Sequence, residues 1–236
     1  MPKTFLGLLR QHRIFVIMYL AFLILGFGIQ LALPKAELFL LTNKHYHIAF
    51  DHIFKIVTMI GDGSTMVFVG VGMLFVKYRY SVVTILAYAY SSVVVQIIKR
   101  IFNEPRPKKF FEGINPIRTL EGYPNYEWNS FPSGHSASAF TLAVILTYLL
   151  PHKQKHWFII PMALLTASSR VYLAQHFFHD IVAGSVLGVI LTFQLIYWLE
   201  NSQWYYSSRL DHRLFKKKRL PKQVDEPAAG SPPVEA

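Results

Sequence analysis

The 236-residue chain has no cysteine. This excludes disulfides, thiolate metal sites and a cysteine nucleophile. Charge is also scarce: 16% of residues are Asp, Glu, Lys or Arg against 53% hydrophobic, where soluble domains carry roughly 25% charge. Acidic residues are the scarcer sign, 13 against 24 Lys plus Arg, for a net charge of +11. A positive balance of that size suits an anionic surface. The basic residues flank apolar runs and form no continuous face, so the expected partner is a bilayer with anionic headgroups and not nucleic acid. Nothing repeats at a fixed period, and the length suits one principal domain.

What the chain does have is a series of long apolar runs. Residues 14–33 are uncharged, enough for a helix to cross a ~30 Å hydrocarbon core. A cleaved signal peptide is the competing reading, but the run is long for one and no Ala-x-Ala site follows it. Residues 34–62 interleave Lys35, Lys44, His45, His47, Asp51, His52 and Lys55 with Leu, Phe and Ile, the pattern of an amphipathic segment lying in the membrane interface. Further runs cover 63–76, 81–98, 136–150, 157–175 and 181–199. The expected fold is all-α, a polytopic membrane protein with six transmembrane helices and an interfacial segment after the first. A domain over 1–204 is followed by a tail over 205–236, basic from Arg209 to Lys222 and then rich in Pro, Ala, Gly and acidic residues, a composition that builds no core.

Basic residues set the orientation. Lys3, Arg10 and Arg13, then Lys77 and Arg79, then Lys153 and Lys155, and finally the tail fall on one side, taken as cytoplasmic. The loop 101–135 and the turn 176–180 then lie together on the outer side. The basic cluster Lys99, Arg100, Arg106, Lys108 and Lys109 breaks the charge rule there, and a bound phosphate accounts for the exception. Both termini are expected to be cytoplasmic, in a bacterial inner membrane, with the site facing the periplasm or exterior.

Three polar motifs punctuate the ends of these runs: Lys99-x6-Arg106-Pro107, Pro132-Ser133-Gly134-His135 and Ser169-Arg170-x5-His176-x3-Asp180. Together they bring three cations, two histidines and a carboxylate to one membrane face, where ionisable residues mark function by default. His176 and Asp180 are spaced i,i+4, which on a helix puts them on one face. The carboxylate holds the proton of one ring nitrogen and frees the other to attack phosphorus. His135 protonates the leaving group, a step worth ~10²- to 10⁴-fold. Ser133 is an N-cap, so the Gly134 amide lies at the positive end of a helix dipole, an anion site. Lys99, Arg106 and Arg170 neutralise the nonbridging oxygens. Taken one at a time, these residues read as snorkelling anchors or a satisfied polar pair. His176, His179 and Asp180 alone suggest a metal site, but no second ligand cluster supports it, so neither metal nor cofactor is expected. Arg100, Lys108 and Lys109 read as surface charges.

The three motifs closely resemble the signature of the type 2 phosphatidic acid phosphatase superfamily, and all eleven of its fixed positions are present. The resemblance is strong over 99–180 and looser over the helical layout. It implies a metal-independent phosphatase with His176 as nucleophile, His135 as general acid, Asp180 as orienter, and Lys99, Arg106, Arg170, Ser133 and Gly134 binding phosphate. For membrane members it implies lipid phosphates or diphosphates as substrates, of the phosphatidate, phosphatidylglycerophosphate, undecaprenyl diphosphate or lipid A type. A lipid phosphotransferase using the same residues and a non-catalytic anionic-lipid-binding protein are the alternatives. Substrate choice is expected to lie in the loop 108–131, whose Phe110, Phe111, Tyr123, Tyr126, Trp128 and Phe131 line a mouth or form an interfacial aromatic belt. Nothing in the chain indicates oligomeric state.

Overall fold

A computed structural model describes residues 4–124, 126–150 and 156–215, and among them the regular structure is entirely helical. The elements are α1 (Phe5–Gln11), α2 (Arg13–Ala32), α3 (Lys35–Lys44), α4 (Ile48–Val57), a 3₁₀ turn (Thr58–Gly61), α5 (Gly63–Met73), α6 (Tyr78–Phe102), α7 (Pro107–Phe110), α8 (Gly134–Leu149), α9 (His156–Tyr172) and α10 (Phe178–Glu200). Each apolar run expected to be helical contains a helix. Among the described residues, three helices are long and apolar enough to cross a membrane alone: α2, the stretch holding α6, and α10.

The second expected span differs from its expectation. Residues 63–76 yield only the 11-residue α5, about 16 Å at 1.5 Å per residue. Its N-terminal extension is the run Ile48–Gly61, bent 55° from it, and the two together pass as one broken span or a re-entrant pair. That run belongs to the stretch read above as interfacial; its alternating charges left it too polar to count as a span by itself. Helix α8, with 16 residues, and α9, with 17, are shorter than the ~20 residues of a usual span.

Helix α8 is the central element. It packs on α6, α9 and α10, and most of its residues from Ser136 to Ile145 are buried. Close approach to α10 is set by two glycines one turn apart: a Cβ on Gly184 would lie 2.3 Å from the Ser133 carbonyl oxygen, and one on Gly188 2.4 Å from that of Ala137. This is the small-xxx-small packing of membrane helices, in which backbones touch because nothing stands between them. The Ser136 hydroxyl adds a 2.6 Å hydrogen bond to the Ile181 carbonyl.

Residues 205–215 stay folded against the end of the bundle. Tyr205 is buried, Asp211 pairs with Lys77 and Arg79, and the Leu214 amide donates to the Leu74 carbonyl. The remainder of the expected tail, with Lys216 to Lys222 and the Pro- and acid-rich end, lies outside the described residues, as do Lys3, Lys153 and Lys155. At the opposite end the loop 103–133 is strapped down by the Arg118–Asp51 ion pair and by a two-way hydrogen bond between Asn43 and the Arg118 backbone.

Candidate active site

The three motifs converge at one end of the bundle because α6 and α9 end there and α8 and α10 begin there. Ser133 caps α8, its hydroxyl accepting from the Ser136 amide at 3.4 Å, while its own amide donates to the Asp180 carbonyl at 2.9 Å. That bond ties the second motif to the third. Gly134 opens the helix, and a Cβ there would meet the Lys99 Cε at 3.9 Å, which brings in the first motif.

His176 and Asp180 are paired, Nδ1 to Oδ2 at 3.4 Å, and both are almost wholly buried. The pairing does not arise on a helical face, as the spacing suggested. α10 begins only at Phe178, and His176 sits before it with its amide on the Arg170 carbonyl at 3.2 Å. Asp180 reaches back from the first turn, and its Oδ2 also accepts from the Phe177 amide at 2.9 Å. A carboxylate at a helix N-terminus satisfies an amide that has no partner within the helix. With Nδ1 turned to Asp180, Nε2 is the ring nitrogen left for chemistry, a tautomer set by the carboxylate. Burial above all pushes the His176 pKa well below its ordinary 6.5, against the pull of Asp180. Burial thus favours the neutral ring, the form a nucleophile needs.

The cations lie at the same end of the bundle. Lys99 is buried and donates to the Asn129 carbonyl at 2.6 Å. Arg106 reaches the Trp128 carbonyl through Nε at 3.0 Å and the Gln175 carbonyl through Nη1 at 3.3 Å. Arg170 is buried, with Nη1 on Thr58 Oγ1 and on the Tyr123 hydroxyl, both at 2.8 Å. Burial first, and the neighbouring Arg170 next, lower the Arg106 pKa to about 10. Like charges held together out of water create a site complementary to an anion. All eight residues singled out from the motifs thus share one end of the bundle.

The structure adds residues that the motifs did not contain. The Ser130 hydroxyl donates to Asp180 Oδ2 at 2.5 Å. Asp62 lies 3.9 Å, Oδ2 to Nε2, from His135, while its Oδ1 is held by the Ser64 amide and hydroxyl at 2.8 and 2.7 Å. An acidic residue between two glycines at the start of an apolar run was the available signal. Thr58 had none, and Tyr123 stood out only as one of the loop aromatics. His179 Nε2 lies 2.9 Å from Asp180 Oδ1 and 3.5 Å from Glu104 Oε2, and Lys35 is 3.7 Å from the same Glu104 oxygen. Glu104, His179 and Asp180 have donor atoms close enough for a metal, but the histidine and lysine already balance the two carboxylates as an ion-pair chain.

The loop aromatics divide. Phe111 is buried and stacks on Phe39, and Phe110 packs edge-on to Phe111 and Phe177, so these two belong to the core and not to a mouth. Tyr123 and Tyr126 serve the arginines, the latter beneath Arg106 at 5.1 Å. Phe131 fits between Phe102 and His179, and Trp128 is exposed.

The profile of the PAP2 superfamily matches residues 80–204, the segment that carries every motif above. The chain belongs to the PAP2 superfamily. It is 28% identical over 186 residues to the undecaprenyl-diphosphatase of Sulfolobus acidocaldarius, covering 75% of this chain and 87% of that one. It is 29% identical to the lipid A 4'-phosphatase of Porphyromonas gingivalis over 112 residues, 47% of each chain, so it spans about half the length of that relative. To the phosphatidylglycerophosphatase B of Bacillus subtilis it is 28% identical over 58% of this chain and 69% of that one. Among solved structures, Aquifex aeolicus LpxE superposes with a TM-score of 0.61 at 28% identity, over 68% of this chain and 93% of that one. Membership and the apolar helices together make this an integral membrane protein.

Proposed function

We propose that the protein is a membrane lipid phosphatase that hydrolyses a phosphate monoester or diphosphate on a lipid through a phosphohistidine on His176. The observation that carries this reading is His176, buried and paired with Asp180, at the end of the bundle that also holds Lys99, Arg106 and Arg170. In the first step His176 Nε2 bonds to phosphorus as the P–O bond to the lipid breaks, and His135 gives its proton to the departing oxygen. In the second, His135 takes a proton from water, the water oxygen bonds to phosphorus, and the P–N bond breaks to release inorganic phosphate. Lys99, Arg106, Arg170, the Ser133 hydroxyl and the Gly134 amide hold the nonbridging oxygens; Asp180 fixes the nucleophile's tautomer and stabilises the charge it acquires. No step calls for a metal. The site faces the non-cytoplasmic side of an inner membrane, with both termini inside. The named relatives act on lipid A, undecaprenyl diphosphate and phosphatidylglycerophosphate, which supports a lipid phosphate as substrate.

Phosphate release by the purified protein in detergent with EDTA, across these lipids and phosphatidate, tests the reading, with His176→Ala alongside. Release from at least one lipid that survives EDTA and disappears in the variant is the expected result. Loss with EDTA removes the metal-free mechanism, and no release from any lipid removes the phosphatase.

A further inference from the structure

The loop segment 127–130 meets both cations of the first motif. Its backbone pairs with residues 104–106: the Arg106 amide donates to the Glu127 carbonyl at 2.8 Å, and the Ser130 amide to the Glu104 carbonyl at 2.9 Å. Between these bonds the chain advances by two residues on one side and three on the other, the mismatch of a β-bulge, one class of which puts a residue in the left-handed region. Asn129 is such a residue, at φ 58°. Asparagine tolerates this conformation, whereas a β-branched residue does so only under strain. The Asn129 side chain is exposed, so what the position supplies is a backbone conformation. The carbonyls of three consecutive residues then reach cations: Arg106 Nε donates to Trp128 at 3.0 Å, and Lys99 Nζ to Asn129 at 2.6 Å and to Ser130 at 3.4 Å. The buried Ser130 hydroxyl meanwhile donates to Asp180, the carboxylate paired with His176. Three residues thus touch both cations and the partner of the nucleophile.

We propose that Trp128, Asn129 and Ser130 form a positioning strap for the phosphate-binding cations, shaped by the left-handed backbone of Asn129. The inference rests on the reading above that Lys99 and Arg106 hold the substrate phosphate. An ammonium carries three N–H donors and a guanidinium five. The strap engages two on Lys99 and the Nε donor of Arg106, while the carbonyl and side-chain oxygens of Gln175 accept from Arg106 Nη1, both at 3.3 Å. Among the described residues, that leaves one donor of Lys99 and the two of Arg106 Nη2 for the nonbridging oxygens. Neutral carbonyls orient the two cations without cancelling their charge, as carboxylates would. Because the same strap also holds Asp180, it sets the separation between the bound phosphorus and the His176 ring, on which a near-attack geometry depends.

Substitution of Asn129 isolates the backbone requirement. For the full chain in detergent, Asn129→Val should lower kcat/KM on a hydrolysed lipid phosphate by about tenfold or more. The inhibition constant of inorganic phosphate, a product held by the same cations, should rise by a similar factor. Asn129→Gly, which takes a positive φ freely, should keep both within about threefold of wild type. Asn129→Ala, a milder strain, is the second variant, and the thermal midpoint reports folding. Lys99→Met separates positioning from stability: without the ammonium, Asn129→Val should weaken phosphate inhibition by a smaller factor than it does with Lys99 in place, as coupled residues do. A merely structural role gives the same factor in both backgrounds. Valine and glycine variants with equal constants overturn the proposal, as does a valine effect of unchanged size without Lys99. A wild type that releases phosphate from no lipid removes the phosphatase reading and the strap with it; release that is lost in His176→Ala but indifferent to Asn129 removes only the strap.

Discussion

Replacing Gly184 by alanine should damage catalysis far more than its single methyl group suggests. The new Cβ would lie 2.3 Å from the Ser133 carbonyl oxygen and 3.1 Å from the Ser136 Cβ. Carbon and oxygen not bonded to each other settle at about 3.5 Å, so α8 and α10 must part by roughly 1 Å at their shared end. Neither contact belongs to a flexible side-chain tip; both are backbone or Cβ of the turn that carries Ser133, Gly134 and His135. The parting also strains the 2.9 Å bond from the Ser133 amide to the Asp180 carbonyl and the 2.6 Å bond from the Ser136 hydroxyl to the Ile181 carbonyl. Overpacking of this kind costs about 1–3 kcal/mol of stability. A displacement near 1 Å between acid and nucleophile costs about 100-fold in rate. The assay is kcat on a lipid phosphate with the thermal midpoint in the same detergent. Gly28→Ala and Gly72→Ala are the controls, since a Cβ at either position meets nothing within 4 Å, and both should match the wild type. Gly184→Ala with kcat within twofold of wild type and an unchanged midpoint would refute the claim that backbone contact between α8 and α10 sets the geometry of the site.

Ser130→Ala removes a buried hydroxyl donor from the Asp180 carboxylate; hydrogen bonds to charged groups contribute about 1.5–3 kcal/mol, so kcat/KM should fall roughly 10- to 150-fold, and a loss under threefold would show that Phe177 and His176 suffice to hold the carboxylate. Asp62→Asn should slow lipid phosphates about tenfold, a fraction of what a general acid contributes, but p-nitrophenyl phosphate much less, because its leaving group needs little help from a proton; equal losses on both would show that Asp62 does not act through His135. Stability should depend on pH through His176. Its folded pKa lies below the unfolded value near 6.5, so the unfolded chain binds more protons, and the stability fully present above about pH 6.5 should decline below it by up to ~1.4 kcal/mol per pH unit. The midpoint should drop between pH 7 and pH 5 with a shallower slope in His176→Gln, and identical slopes would place the acid sensitivity elsewhere.

The residues of the site were legible because phosphoryl chemistry needs particular side chains at the ends of apolar runs, and those ends are visible in the order of the letters. Lys99, Arg106, His135, Arg170, His176 and Asp180 all lie where an apolar helix starts or stops, and connectivity alone sends those ends to one face. Geometry between neighbours was less legible. The i,i+4 spacing of His176 and Asp180 suggested a helical face, yet the helix begins between them, because Asp180 is better used on the orphan amide of Phe177 than on a turn that would have to contain His176. Ser130 and Tyr123 reach their charged partners across the folded loop, a distance that no local pattern encodes. The glycines are the intermediate case. Gly184 and Gly188 stand one turn apart in α10, a spacing readable as close backbone contact, and Gly61 and Gly63 flank the acid that faces His135. Each pair is conspicuous only after its partner helix is known, because a glycine's function here is to leave room, and the thing given room is the Ser133 or His135 carbonyl on another element. The same logic bears on 48–62, part of the stretch 34–62 whose charges suggest an amphipathic segment in the membrane interface. Its charges are real, but Asp51 is paired with Arg118 and Tyr172 and Asp62 with Ser64 and His135. Those partners lie in the loop 103–133 and on α5, α8 and α9, so these two carboxylates, part of the polarity that marked the segment as interfacial, are spent on other elements of the fold, while His52 stays exposed.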